Sequence, residues 1–494
     1  MKKLLTILSL IVYLGINAYA QGVTTGSITG RVIGSDKVPL KSATVTAIHL
    51  PSGTKYGAIT RGDGRFTILG VRVGGPYEVT TSYTGYEKKS FSNVTVTLGN
   101  TVDLDFILAQ SGVKAQEITV YGKADAVFSQ DRTGAATTVS NTEIQILPTI
   151  SRRIGDFTRL TPQAKSGTFG LSFAGQDNRL NNITIDGSYI NNSFGLAGQP
   201  GDRTGVAPVS LDALEQIQVN VAPYDVRQGN FVGAGVNMVT KSGTNDFIAT
   251  TYYQLRNESF VGTEAASSKF NPGTFKYNMF GATIGGPIIK NQLFFFTNFE
   301  MENTKLPGTT YLANTGSDVV GGNITRVQKA DMDQLSKFLM DKYGYETGGY
   351  QDYDFSIPAL RFVLKFDYNL DEKNKISLRY NHLDSKTDVL LSNSSSLGFG
   401  NRRSSTQALN FKNSNYAILE NIRSIIAEWN SVISNNLSNN LIAGYRFHDE
   451  SREQPGKLFP FVDILKDGTT YTSFGTEPFT PNNKLDYNTI QIQD

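Results

Sequence analysis

The 494-residue sequence holds no cysteine, three histidines and a single tryptophan. Without cysteine there is no disulfide framework, no thiol nucleophile, no thiolate zinc site and no lipid-anchoring cysteine. His49, His382 and His448 stand alone, with no HExxH and no His-x-x-Glu pair, so metal-dependent hydrolysis has little to rest on. Neither a metal nor a cofactor is expected. The formal net charge is +2 and no basic block occurs, which gives nucleic acid no footing. Beyond the N-terminus no apolar run approaches the ~20 residues that a spanning helix needs. An exported chain of this kind can enter a bilayer only as a barrel, because only helices and closed barrels satisfy every backbone group in lipid.

What the sequence does contain is glycine, tyrosine and phenylalanine: 48, 23 and 29 residues. The first twenty residues read as a secretory signal peptide. Lys2 and Lys3 precede the apolar stretch Leu4–Leu14, and Ala18-Tyr19-Ala20 forms a cleavage site before Gln21. Ala18, Ala20 and Gln21 are the expected processing residues.

Residues 22–110 alternate over short segments with turn residues between them. Ile28, Gly30 and Val32 alternate with Thr29 and Arg31. Phe66 and Ile68 follow the turn Gly62-Asp63-Gly64. Val102, Leu104, Phe106 and Leu108 alternate with polar residues. This predicts a small β-sandwich with one inward face per strand. The pieces GSITGRV, VPLKSATV, GDGRFTILGV, PYEVTTSYTGY and LDFIL resemble the carboxypeptidase regulatory-like domain. In that family the domain is an accessory, and the resemblance brings no peptidase activity. Asp63 is read as a turn former rather than a calcium ligand.

Residues 111–132 are polar apart from Glu117-Ile118-Thr119-Val120-Tyr121-Gly122. Ile118 and Val120 favour extended backbone. The alternatives are a last strand of the first domain or a first strand of the next.

In residues 133–245, Ser140-x-x-Glu143 is a capping box opening a short helix. Ile154, Phe157 and Leu160 have helical spacing, which puts Arg152 and Arg153 on a solvated face. Asn182–Gly187 reads as a strand ending in a turn, with Asp186 and Gly187 as the turn formers. The segments LDALEQIQV and GVNMVTKSGTN resemble the end of the plug domain in TonB-dependent outer-membrane receptors. That resemblance implies a plug over 133–245, with loop 195–205 facing the lumen. It also implies a TonB box at Glu117–Tyr121, which would add as a strand to the periplasmic C-terminal domain of TonB.

From residue 246 long alternating strands appear, at about 246–257, 275–285, 292–302, 359–369, 374–384, 422–432 and 439–449. Short turns such as Ile289-Lys290-Asn291 and Asp371-Glu372-Lys373 alternate with long connections, and 303–358 has room for a small element of its own. Short turns at one end and long loops at the other are the signature of an outer-membrane barrel. Leu360, Phe362, Leu364, Phe366 and Tyr368 suit lipid, while Arg361, Lys365, Asp367 and Asn369 suit a wet lumen. Tyr252, Phe299, Tyr368 and Phe447 are expected in interfacial girdles. The run FGATIGGPIIKNQLFFFTNFE resembles the Oar-like branch of these receptors.

The expected fold class is therefore mainly β. A small sandwich leads to an α+β plug, and then to the first strands of a large antiparallel transmembrane barrel. Family barrels have about 22 strands, and about seven are legible here, so an incomplete barrel and an N-terminal part of a longer receptor are expected. The resemblance implies a transporter in the outer membrane, with TonB, outer-membrane lipid and an unidentified extracellular ligand as partners, and no catalysis. The alternative is a surface adhesion or structural protein without transport.

Overall fold

The computed structural model describes residues 22–111, 120–121, 134–149, 152–167, 170–223, 228–266, 268–269, 271–434, 437–480 and 484–494. The expected signal peptide, with Ala18, Ala20 and Gln21, lies outside them, as do Glu117, Ile118 and Thr119.

The N-terminal unit is a sandwich of two sheets. Strand β1 (Thr25–Gly34) pairs with β4 (Arg65–Arg72), β7 (Thr101–Asp103) and β8 (Phe106–Leu108). The second sheet runs in the order β3 (Thr54–Ile59), β2 (Thr44–His49), β5 (Gly74–Ser82), β6 (Lys89–Val96), β9 (Val120–Tyr121). Every second residue of β1 is buried. Ile28, Val32, Val45, Phe66, Ile68, Tyr77, Val79 and Phe106 form the shared core. Asp63 sits in the tight turn before β4, where its carboxylate accepts the Arg65 N–H at 3.1 Å.

The middle unit is a five-stranded mixed sheet in the order β10 (Gly134–Ser140), β13 (Leu214–Pro223), β14 (Gly235–Thr240), β11 (Asn182–Ile185), β12 (Ser188–Tyr189). The capping box forms: Ser140 and Glu143 exchange side-chain and backbone bonds at the start of α1 (Asn141–Ile146). Helix α2 (Ile154–Thr158) buries Ile154 and Phe157, but it ends before Leu160, which is exposed. Arg152 is not on a solvated face. It pairs with Asp212 and lies 5.0 Å from the Tyr252 ring centroid.

The third unit is one long antiparallel wall. Its path is β15 (Ile248–Asn257), β16 (Lys276–Ile289), β17 (Leu293–Pro307), β18 (Asp354–Asn369), β19 (Asn374–Val389), β20 (Asn421–Ser434), β21 (Leu437–Asp449) and β22 (Asp486–Gln493). Two short strands, Tyr416–Leu419 and Arg452–Glu453, extend it to ten. Eight strands thus lie along the path where the sequence pattern gives seven. Several run past the expected ends, because the ladder continues as far as Pro307 opposite Asp354. Among the described residues the edge strands β15 and β22 do not pair with each other.

The wall has two faces. Tyr253, Phe280, Met301, Leu378, Ile425, Trp429, Tyr445 and Ile490 point outwards and are exposed. Arg361, Lys365, Arg379 and Arg446 point inwards and are buried. The two-residue period of a strand produces this division directly. Tyr252 departs from its expected place. It turns inwards, its ring crosses the Cα of its register partner Gly281, and a Cβ there would lie 2.2 Å from the Tyr252 Cζ.

Connections at one end of the wall are short. At the other end, 308–353, 390–420 and 450–485 are long, and described residues of all three pack together. Helix α3 (Lys329–Tyr343) occupies the first of these. Met332 and Leu339 of that helix pack with Leu409, Phe411, Tyr471 and Phe474 from the other two connections. The sandwich sits at the short-turn end, where Asn369 donates to Thr54 at 3.0 Å and the Asn245 N–H bonds the Pro51 carbonyl at 2.8 Å.

Candidate functional site

The middle unit lies against the inward face of the wall, and the seam between them combines apolar contacts of Phe296, Val363 and Val206 with buried ion pairs and hydrogen bonds. Asp186 and Gly187 both have positive φ, 44° and 75°, and join β11 to β12 as a two-residue hairpin turn. The turn reading therefore holds, and the same aspartate has a second role. Its carboxylate accepts the backbone N–H and hydroxyl of Thr240 at 2.8 and 2.6 Å, and the Arg379 guanidinium at 3.0 Å. The Lys365 ammonium stands 3.9 Å away. Burial pushes this carboxyl up, but Lys365, Arg379 and the Thr240 bonds outweigh it and hold the group below the usual aspartate range.

A second knot lies further along. Arg361 donates to Glu300, to Glu302 and, at 2.7 Å, to the Ala207 carbonyl of the middle unit. Glu300 also accepts from Ser210 at 2.8 Å and from the Tyr252 hydroxyl. A third set of contacts lies at the long-loop end. The Gly201 N–H donates to Glu420 at 2.6 Å, Asn192 donates to Glu450, and Thr204 and Ser385 share a bond at 2.9 Å. Loop 195–205, expected to face the lumen, is in part tied to the wall by these bonds. Fully buried charges are stable only when paired and hydrogen-bonded. Asp186, Glu300 and Arg361 meet that condition with partners drawn from both units, while Arg379 Nε and one carboxylate oxygen each of Glu420 and Glu450 are buried without one.

Of the expected TonB box, only Val120 and Tyr121 fall among the described residues. They pair in parallel with Phe91 and Ser92, on the outer edge of the second sandwich sheet. The seam residues Asp186, Glu300, Arg361 and Arg379 had no sequence signal as a group. Their inward parity on the wall strands was legible, and their partners were not.

The wall, with an apolar outer face and a charged inner face packed on a folded unit, defines an outer-membrane barrel protein. The family model described as outer membrane beta barrel domain matches residues 239–493, and the chain belongs to that family. The carboxypeptidase regulatory-like domain model matches residues 27–109. The chain thus carries a carboxypeptidase regulatory-like domain ahead of its outer membrane beta barrel domain. The TonB-dependent transporter Oar of Myxococcus xanthus is 23% identical over 246 residues, which cover 49% of this chain and 22% of that protein. The chain thus spans about a fifth of the curated relative's length. Similar solved structures include the outer membrane transporter YddB of Escherichia coli, with 10% identity and a TM-score of 0.46, over 72% of this chain and 44% of that one. A ferric enterobactin receptor of Pseudomonas aeruginosa has 12% identity and a TM-score of 0.41, over 72% of this chain and 45% of that one.

Proposed function

We propose that this chain belongs to an energy-coupled transporter that takes up an extracellular ligand through the outer membrane, with the middle unit as its plug. The observation that carries the reading is the seam. A purely structural filler would be held by apolar packing, which is costly to part. Here Asp186 pairs with Arg379 and Lys365 of the wall, Ser210 donates to Glu300, and Arg361 donates to the Ala207 carbonyl. Ionic and hydrogen-bonded contacts can be exchanged for water one at a time as a unit shifts. The outer cap formed by the three long connections is the surface offered to the ligand.

Coupling would run through Glu117, Ile118, Thr119, Val120 and Tyr121. The parallel ladder of Val120 and Tyr121 on β6 is short and lies at a sheet edge, so it can be exchanged for a strand of TonB. The chain has no native cysteine, so Val120→Cys supplies a unique thiol. In cells, this variant is expected to form a disulfide with a cysteine placed in the edge strand of the periplasmic domain of TonB. No cross-link at any of positions 117–121 would overturn the assignment and favour the adhesion reading.

A further inference from the structure

Glu420, His448 and Glu450 come from three places along the rim of the wall at its long-loop end. Glu420 precedes β20, its N–H bonded to the Ser385 carbonyl at 3.0 Å. His448 is the penultimate residue of β21, and Glu450 follows that strand with its N–H on the Leu485 carbonyl at 2.8 Å. All three are fully buried. One donor atom from each lies within 4.8 Å of the other two, and His448 Nε2 stands 3.7 Å from Glu420 Oε1.

The middle unit grips one side of this group and leaves the other bare. Glu420 Oε1 accepts the Gly201 N–H at 2.6 Å, and Glu450 Oε1 accepts from Asn192. His448 Nδ1 is bonded to the Tyr487 hydroxyl at 2.8 Å. Glu420 Oε2, Glu450 Oε2 and His448 Nε2 are buried without a hydrogen-bond partner. Two guanidinium groups lie near: Arg203, 3.8 Å from Glu450 and bonded to that residue's carbonyl, and Arg446, which stacks on Tyr487 and acts on Glu450 through its charge. Neither of them bonds the three bare atoms.

We propose that Glu420, His448 and Glu450 form a binding site for a divalent first-row transition ion, with zinc as its representative. One imidazole nitrogen with two carboxylate oxygens is a mixed donor set of the kind such ions take, whereas calcium and magnesium favour all-oxygen shells. Tyr487 supplies the outer support. When Nδ1–H donates to its oxygen, Nε2 presents a lone pair to the ion, the usual arrangement of a metal-ligating histidine. Ligand atoms around zinc lie about 3 Å apart, so the three side chains draw together on binding. Because Gly201 and Asn192 hold the same carboxylates, the ion would fasten loop 192–203 of the middle unit to the wall.

The test uses the detergent-purified protein, stripped with a chelator and titrated with zinc chloride, and separately with manganese chloride. Heat and bound metal per chain are measured. The variants are E450Q and H448Q, which keep side-chain size, with H382N as control. His382 is the other histidine beside a carboxylate, 2.9 Å from Asp384. The expected result is one ion per chain at saturation, affinity weakened at least about 10-fold in E450Q and in H448Q, and no change in H382N. X-ray absorption at the zinc edge should show one imidazole among oxygen ligands. Two results would overturn the proposal. One is no stoichiometric binding of either ion. The other is binding unchanged in both variants. In either case the cluster is a structural one, held by its bonds to Gly201, Asn192 and Tyr487.

Discussion

Asp186 and Arg379, 193 residues apart in the chain, meet at 3.0 Å with both side chains buried. The aspartate belongs to a hairpin turn of the middle unit and the arginine to the wall. Two units that the sequence presents as separate are thereby joined at one oxygen. Removing one partner of a buried pair leaves an unpaired charge and costs about 3–5 kcal/mol. Asp186→Asn is expected to destabilise the seam by that order, and Asp186→Asn with Arg379→Met to recover part of it. Thermal unfolding of the detergent-purified variants checks both. A double variant no more stable than the single one would refute the coupling.

The same aspartate predicts an acid limit. Its carboxyl is held below its unfolded value, so the folded state binds fewer protons there. The stabilisation is present above the unfolded value near pH 4 and is lost as pH falls through the lower folded value. Protease accessibility of the middle unit should therefore rise below about pH 4 in the native protein. The rise should be weaker in Asp186→Asn.

Tyr252 gives a sharper test because its surroundings differ from those expected. In a lipid girdle, Tyr252→Phe would be nearly neutral. In the observed seam the hydroxyl bonds the Glu300 carboxylate, and hydrogen bonds to charged groups are worth about 1.5–3 kcal/mol. A loss of that order in chemical unfolding is expected. Tyr253→Phe, on the outward face, should change little.

The reason for this miss is physical. Tyr252 and Tyr253 are adjacent aromatics, so alternation alone does not say which one faces lipid. The register with Gly281 decides it. Parity was legible in Leu360–Asn369, where apolar and polar residues take turns except at Val363. Strand β22, with sequence DYNTIQIQ, went unread because its outward face, Asp486, Asn488, Ile490 and Ile492, is only half apolar. The capping box at Ser140 was legible because all its atoms lie within one turn of chain. The seam and the Glu420–His448–Glu450 group were not, since the first forms only when the middle unit packs on the wall and the second only when β20 pairs with β21.

The outer cap should unfold separately from the wall. Leu339 is 2% exposed, on α3, and packs with residues from the other two long connections. Leu339→Ala is expected to cost about 2–5 kcal/mol within that cluster. The wall draws its stability from its ladder, not from the cap. Limited proteolysis should therefore cut within 308–353 in the variant while the wall strands stay protected. Simultaneous loss of both would show that the cap and wall form one cooperative unit.

His49 makes the sandwich pH-sensitive. Its ring is buried, lies 4.9 Å from Tyr77 and bonds Ser52 through Nδ1 at 2.7 Å. Burial, aided by the positive charge of Arg72, pulls its pKa down to about 3. The folded state thus keeps the ring neutral, while the unfolded chain takes up a proton below about pH 6.5. Stability from this group is complete above that value and is lost as pH falls towards the folded value. Each pH unit in the window costs about 1.4 kcal/mol, which amounts to about 2 kcal/mol between pH 7.5 and pH 5. Urea unfolding of residues 22–110 at those two pH values should show that difference, and His49→Gln should abolish most of it. An unchanged difference in the variant would assign the pH dependence to other groups.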